Sequence, residues 1–228
     1  MSADPRPAAL VAALKAEGIS DARVLDAMKT TPREIFVEEP FEASAYENTA
    51  LPIACGQTIS QPFVVAYISQ ALDISPKHRV LEIGGGSGYQ AAVLARLAAW
   101  VYVIERHRPL LESAKARFQV LKLHNVVVRH ADGLKGWPEQ APFDRIVLSA
   151  AIDAVPPSLI DQLKPGGVLI APVSAAPPAE RFSQRLVKII RTQSGQIDEP
   201  LMPVVFVPMV PGLPQESRTL DGAAKDKD

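Results

Sequence analysis

The hydrophobic and polar positions of this chain change their rhythm twice between its ends. Over residues 8–78 they recur at helical spacing. Residues 8–17 are rich in Ala and Leu and stop at Gly18, a residue suited to the left-handed position that ends a helix. Ser20 is placed to cap a second helix reaching Met28. Thr31, Pro32 and Glu34 read as a capping box with proline in the first turn, leading toward Phe36. Residues 41–56 hold no sustained period and read as loop. Ser60 then stands before Gln61, Pro62 and an apolar helix to Leu72.

From Arg79 onward short apolar runs alternate with helical stretches. Strands are expected at 79–83, 101–104, 126–128, 145–148 and 168–171. Helices are expected at 89–98, 109–123 and 157–163, the last ended by Pro165-Gly166-Gly167. Such alternation means right-handed βαβ units, so the fold class is α/β, a doubly wound and mostly parallel sheet. Past Pro172 prolines accumulate and the period becomes two. Leu186, Lys188 and Ile190 face one side, Val187 and Ile189 the other, and 204–207 reads as one more strand. The chain divides into an N-terminal helical region (1–78), a core (79–173), a C-terminal β extension of the same domain (174–211) and a polar tail (212–228) expected to be disordered. No internal repeat is present.

Composition then excludes some functions. The 24 Lys and Arg against 25 Asp and Glu leave a net charge of -1, which disfavours nucleic acid as a partner. Cys55 is the only cysteine, so no intrachain disulfide can form and a reducing cytoplasm is expected. The N-terminus lacks a signal-peptide pattern, because Lys15 and Glu17 soon break its short apolar run. No stretch approaches the ~18 apolar residues of a membrane helix, so no membrane partner is expected. A monomer is the favoured form. His78, His107, His124 and His130 lack ligand spacing, and no metal site is expected.

Candidate chemistry begins at Glu82-Ile83-Gly84-Gly85-Gly86-Ser87-Gly88-Tyr89, a glycine loop between a strand and a helix. Gly84, Gly86 and Gly88 would let a ligand approach the backbone closely. Tyr89 occupies the third glycine position of a dinucleotide fingerprint, and no Gly-Lys-Ser/Thr follows, so neither a dinucleotide nor a phosphate loop fits. Glu105 ends the second strand about 20 residues on, where an acid holds ribose hydroxyls; pairing with Arg106 or Arg108 is the plainer alternative. Asp132-Gly133 follows the third strand, either on the same ligand-binding rim or as a simple turn. Ser60 by itself is an ordinary helix cap.

With these residues in view, the stretch from Arg79 to Val173 resembles the class I S-adenosylmethionine methyltransferases. The resemblance rests on Val80-Leu81-Glu82-Ile83-Gly84, Ile104-Glu105, Asp132-Gly133, Phe143-Asp144 and Leu163-Lys164-Pro165-Gly166-Gly167. It implies S-adenosyl-L-methionine as cofactor, with its methionine end at the glycines, its ribose on Glu105 and its adenine beside Asp132; Glu82 and Gly133 would also be among the residues that bind it.

Nearly the whole chain resembles the protein-L-isoaspartate O-methyltransferases. Pro32-Arg33-Glu34-Ile35-Phe36-Val37, Ala45-Tyr46-Glu47, Gly56-Gln57-Thr58-Ile59-Ser60-Gln61-Pro62, Gly86-Ser87-Gly88-Tyr89-Gln90 and Phe206-Val207-Pro208 carry it. The resemblance implies that Ser60 is catalytic and also binds substrate. It places Gln57, Thr58, Ile59 and Ser60 against the cofactor and Val207 against the peptide backbone. Isoaspartyl-containing proteins and peptides would be the partners, methylated on their free α-carboxylate and returned through a succinimide toward aspartate. The chain departs from the pattern at Gly85, Ala54-Cys55, Asn48, Phe63, Ser174 and Pro177-Pro178, around the substrate mouth more than the cofactor. Two other readings stay open: a class I methyltransferase for another small-molecule or peptide carboxylate, and a cofactor-binding homologue without catalysis.

Overall fold

The computed structural model of the chain describes residues 4–174 and 184–214. The expectation for 215–228 and the Pro177-Pro178 pair lie outside those residues.

The N-terminal region holds α1 (Arg6–Ala16) and α2 (Ala22–Thr30). Gly18 closes α1 with φ +100°; its N–H reaches the Lys15 carbonyl, the Ile19 N–H reaches that of Leu14, and Ile19 is buried. This is the stop that the left-handed glycine permits. Two expected caps are replaced. Asp21, not Ser20, accepts the Arg23 N–H at the start of α2, while the Ser20 N–H donates to Gln70. The Thr31–Glu34 capping box does not form: the Thr31 hydroxyl turns back to the Ala27 carbonyl, and Glu34 accepts from the Tyr46 hydroxyl. A single 3-10 turn, Arg33–Phe36, follows.

The expected loop 41–56 is partly structured. It contains most of a 3-10 turn, Glu39–Ser44, and the strand β1 (Leu51–Ile53), which pairs antiparallel with β2 (Gln57–Ile59). Three-residue strands are too short to show a period. Then α3 (Pro62–Ala71) starts with Gln61 as its first cap and proline in its first turn.

Beyond it come β3 (Arg79–Ile83), α4 (Tyr89–Ala95), β4 (Trp100–Glu105), α5 (Arg108–Val120), β5 (Val126–His130), β6 (Phe143–Leu148), α6 (Pro157–Ile160), β7 (Leu163–Ser174), β8 (Gln184–Arg191) and β9 (Gln196–Val204). The sheet order is β5-β4-β3-β6-β7-β8-β9, parallel through β7 and antiparallel at its last two pairings. Pro165-Gly166-Gly167 does not end a helix. It bulges from the start of β7, where the register jumps from Phe143↔Leu163 to Arg145↔Val168. The final expected strand, 204–207, is displaced: β9 occupies 196–204, and 205–207 lies beyond it.

Period two sorts the sheet residues. Val80, Val101 and Val103 pack into the cluster that includes residues of α1–α5, whereas Leu81, Ile83, Tyr102 and Ile104 join Trp137 and Leu159 on the other face. By the same alternation Glu82 and Glu105 fall on the first face, at the carboxyl ends of neighbouring strands. There, beside β3, the strand order reverses, and a crevice opens in a doubly wound sheet.

Candidate active site

The crevice is a cleft enclosing about 880 Å³ of non-atom space, part of it open to solvent. Residues 57–60 form one wall and the loop 82–87 its floor. Residues 104–107, Gly133 and Ser149 line the strand-end rim, and residues 207–210 close the remaining side. Gln57, Thr58, Ile59, Ser60, Glu82, Gly84, Gly86, Glu105, Gly133 and Val207 therefore meet in one place.

Two expected residues do not line this cleft. Gly88 lies behind it with φ +88°, and a Cβ there would stand 2.9 Å from the Phe118 ring; its absence lets the loop pack on α5. The Asp132 carboxylate is already engaged, accepting the Leu134 N–H at 3.0 Å and the Gly212 N–H at 2.9 Å. The Arg106 guanidinium holds the Gly212 carbonyl from the other side. The expected polar tail therefore begins fastened to the rim.

Glu105 is 5% exposed and both its oxygens serve the backbone. One accepts the Gly86 N–H at 2.8 Å and the other the His107 N–H at 2.7 Å. A carboxylate has about four lone-pair sites, so acceptor capacity remains for a diol. Glu82 is fully buried. One oxygen accepts from the Ser149 hydroxyl at 3.2 Å; the other has no partner among the described residues. Burial pushes the Glu82 carboxyl up to about 8; the Ser149 bond opposes this, and the Glu105 charge adds to it. An unpaired buried acceptor on a cleft wall suits an ammonium group.

Ser60 does not cap α3: Gln61 takes that position without a side-chain bond, and among the described residues the Ser60 hydroxyl has no hydrogen bond. The Ser60 carbonyl accepts from Arg33 at 2.8 Å. Opposite, residues 205–209 follow β9, with Pro208 in an isolated parallel bridge to Ala151. The Gln184 side-chain amide accepts the Phe206 N–H at 2.6 Å and donates to its carbonyl at 3.1 Å. The Val207 carbonyl accepts the Ala151 N–H, and among the described residues the Val207 N–H has no hydrogen-bond partner.

Among the departures, Gly85 has a local reason: a Cβ there would lie 2.4 Å from Val103 Cγ1, so the valine fills the room a larger residue would need. Cys55 adopts φ 59° before Gly56 at φ 65°, making the tight bend between β1 and β2. Tyr89, Gln90, His107, Ser149, Met209 and Val210 also line the cleft without having been expected to. Ser149 was within reach of sequence reasoning, since it directly follows β6 on the same rim as the three acids.

The family profile described as "Protein-L-isoaspartate(D-aspartate) O-methyltransferase (PCMT)" matches residues 6–213. A protein-L-isoaspartate O-methyltransferase of Paramagnetospirillum magneticum is 53% identical, over 94% of this chain and 99% of its own. One from Parvibaculum lavamentivorans is 52% identical over 91% and 93%. Among solved structures, a protein-L-isoaspartate O-methyltransferase superposes with TM-score 0.80 at 30% identity, covering 89% of this chain and 65% of that one. A Plasmodium falciparum structure described as a putative member, in complex with S-adenosyl-L-homocysteine, gives 0.75 at 26% identity over 92% and 99%.

Proposed function

From the premise that this chain belongs to the protein-L-isoaspartate(D-aspartate) O-methyltransferase family, we propose that it repairs proteins by methylating the free α-carboxylate of L-isoaspartyl residues. The observation that carries the reading is the near full-length family match; a cleft lined by both the glycine loop and residues 57–60 supports it. S-Adenosyl-L-methionine supplies a methyl group already activated on a sulfonium. The residues present fit it: the unpaired Glu82 oxygen suits its ammonium and Glu105 its ribose hydroxyls, while the glycine loop allows close approach. Gly133 is on the cleft wall for the adenine end, and Asp132 acts there through the backbone it fastens.

The chain's own task is small. An α-carboxyl has a pKa near 3.5, so the nucleophile is ionised at neutral pH and needs positioning and dehydration rather than a base. Ser60 has an uncommitted hydroxyl to donate to that carboxylate, and the Val207 N–H is available to the peptide backbone. The neighbouring backbone nitrogen then attacks the methyl ester and displaces methanol, which carries off the amide proton, giving a succinimide that hydrolyses partly to aspartate. Among the described residues no helix is long and apolar enough to cross a membrane. Cytoplasmic residence, a monomeric form and the absence of a nucleic-acid partner belong to the same proposal, supported by the single cysteine and the net charge of -1.

The test is transfer of label from the cofactor to an isoaspartyl peptide beside its aspartyl twin. Label on the first alone is expected. Equal label on both, or transfer only to another carboxylate, would favour the broader class I reading; cofactor binding with no transfer would favour the non-catalytic one.

A further inference from the structure

Arg33 is fully buried, and among the described residues no carboxylate pairs with it. Its Nε donates to the Ala45 carbonyl at 2.8 Å and one Nη to the Ser60 carbonyl at 2.8 Å; among the described residues the other Nη has no hydrogen-bond partner. Its guanidinium lies 4.7 Å from the centre of the Tyr89 ring, at the head of α4. Tyr89 meets Phe36 edge-on at 5.3 Å, and Arg117 lies 5.9 Å from the Phe36 ring centre. Arg117 donates to the carbonyls of Ile35 and Ser87. Two buried or half-buried cations thus cover a pair of rings, and each reaches a backbone carbonyl of a different cleft wall.

Burying a cation without an anion is expensive, and an apolar side chain of similar volume is often neutral or stabilising in its place. Stability alone therefore gives a poor reason for an arginine here. A flat guanidinium can, however, donate in fixed directions to two carbonyls while stacking on a ring, which an ammonium cannot. The Ser60 carbonyl stands just before α3, so holding it fixes the backbone from which the Ser60 hydroxyl projects.

We propose that Arg33 is a positioning residue for methyl transfer, acting through Ser60 by fixing the turn between β2 and α3. The proposal rests on the isoaspartyl methyltransferase reading, and the test separates the two. Wild-type protein is first assayed with isoaspartyl peptide; no turnover there would count against the functional reading itself. With turnover established, Arg33→Met, Ser60→Ala and the double variant are compared in kcat and KM, and each is titrated with S-adenosylhomocysteine by calorimetry.

Arg33→Met is expected to lower kcat about tenfold or more, with S-adenosylhomocysteine affinity held within about threefold. The double variant should be no slower than the slower single variant by more than about twofold, since both changes disable one element. Arg117→Met is the control, a cation lost from the same stack without a bond to Ser60, and its effect should multiply with that of Ser60→Ala. Multiplying effects for Arg33 and Ser60, or the same coupling for both arginines, would overturn the proposal. Should Arg33→Met fail to fold, Arg33→Lys enters the same cycle; it keeps the charge, cannot make both bonds, and is expected to lose turnover without a matching loss of cofactor affinity.

Discussion

Two acids one strand apart show how single residues divide the work. Glu105 binds the Gly86 and His107 amides, so it shapes the floor as well as offering acceptors to a ligand. Charge-assisted hydrogen bonds contribute about 1.5–3 kcal/mol, so Glu105→Ala should weaken S-adenosylmethionine binding roughly tenfold or more, as read by calorimetry. Unchanged affinity in a folded variant would detach Glu105 from the ribose. Glu82 works the other way. Burial pushes its carboxyl up to about 8, above an ordinary 4.5, so between those values the folded chain keeps a proton that the unfolded chain has shed. The stability it contributes is full below the lower value and is lost as pH rises through the upper. Glu82→Gln removes this linkage. Relative to wild type, the ligand-free variant should gain roughly 1 kcal/mol per pH unit between pH 5 and 8 in denaturant unfolding, while binding the cofactor about tenfold more weakly. The positions of both acids were legible from strand ends and spacing. The orphaned oxygen was not, because burial depends on what packs above the strand. Ser60 shows the reverse limit: its cleft role rested on family resemblance, while the local rule pointed to a cap that Gln61 and Pro62 make unnecessary.

Whole elements were legible where one period ran long enough. The parallel strands and α5 stand close to their expected places, since continuous apolar runs and a helical stripe specify them. β9 was missed, because Pro200 and Pro203 interrupt its alternation and its outer half is exposed, as an edge strand allows. The segment after it matters more than its lack of regular structure suggests. Gln184 copies a strand neighbour for Phe206 by giving and taking one backbone bond, which sets the direction of Val207. Gln184→Leu removes both bonds, each worth about 0.5–1.5 kcal/mol, and should lower kcat/KM for an isoaspartyl peptide about three- to tenfold. Steady-state kinetics at saturating cofactor measure this. Full activity would show that Val207 holds its place, or the peptide its grip, without the amide.

On the scale of the molecule, an N-terminal helical region and the segment after β9 bring residues 57–60 and 207–210 to the end of the sheet where Glu82 and Glu105 stand. The α/β class and the sheet's location follow from alternation along the chain; the order of β8 and β9 does not, because antiparallel hairpins can add at an edge in more than one order. The assembled cleft also fixes a kinetic expectation. His107 is the one histidine on its wall among the described residues, and its amide is tied to Glu105. With an ionised nucleophile and no base beside Ser60, kcat/KM for isoaspartyl peptide at saturating cofactor should vary less than about threefold from pH 6 to 8. A tenfold rise per unit would require a titrating base and a nucleophile other than a carboxylate.

The clasp between Asp132 and Gly212 has a bearing on how this protein ages. Asp132-Gly133 is itself a dipeptide in which a backbone nitrogen can close on a side-chain carboxyl, since glycine puts no Cβ in the way. In the fold that carboxyl is drawn onto the amides of Leu134 and Gly212, and Gly133 is wedged where a Cβ would lie 2.3 Å from Ile83 Cγ2. The glycine is imposed by packing, and the susceptibility that comes with it is contained by the clasp. Peptide mapping after prolonged incubation should therefore find isoaspartate at residue 132 far more slowly in the native protein than in the same chain held in denaturant, so that this repair enzyme is spared its own substrate lesion for as long as it stays folded.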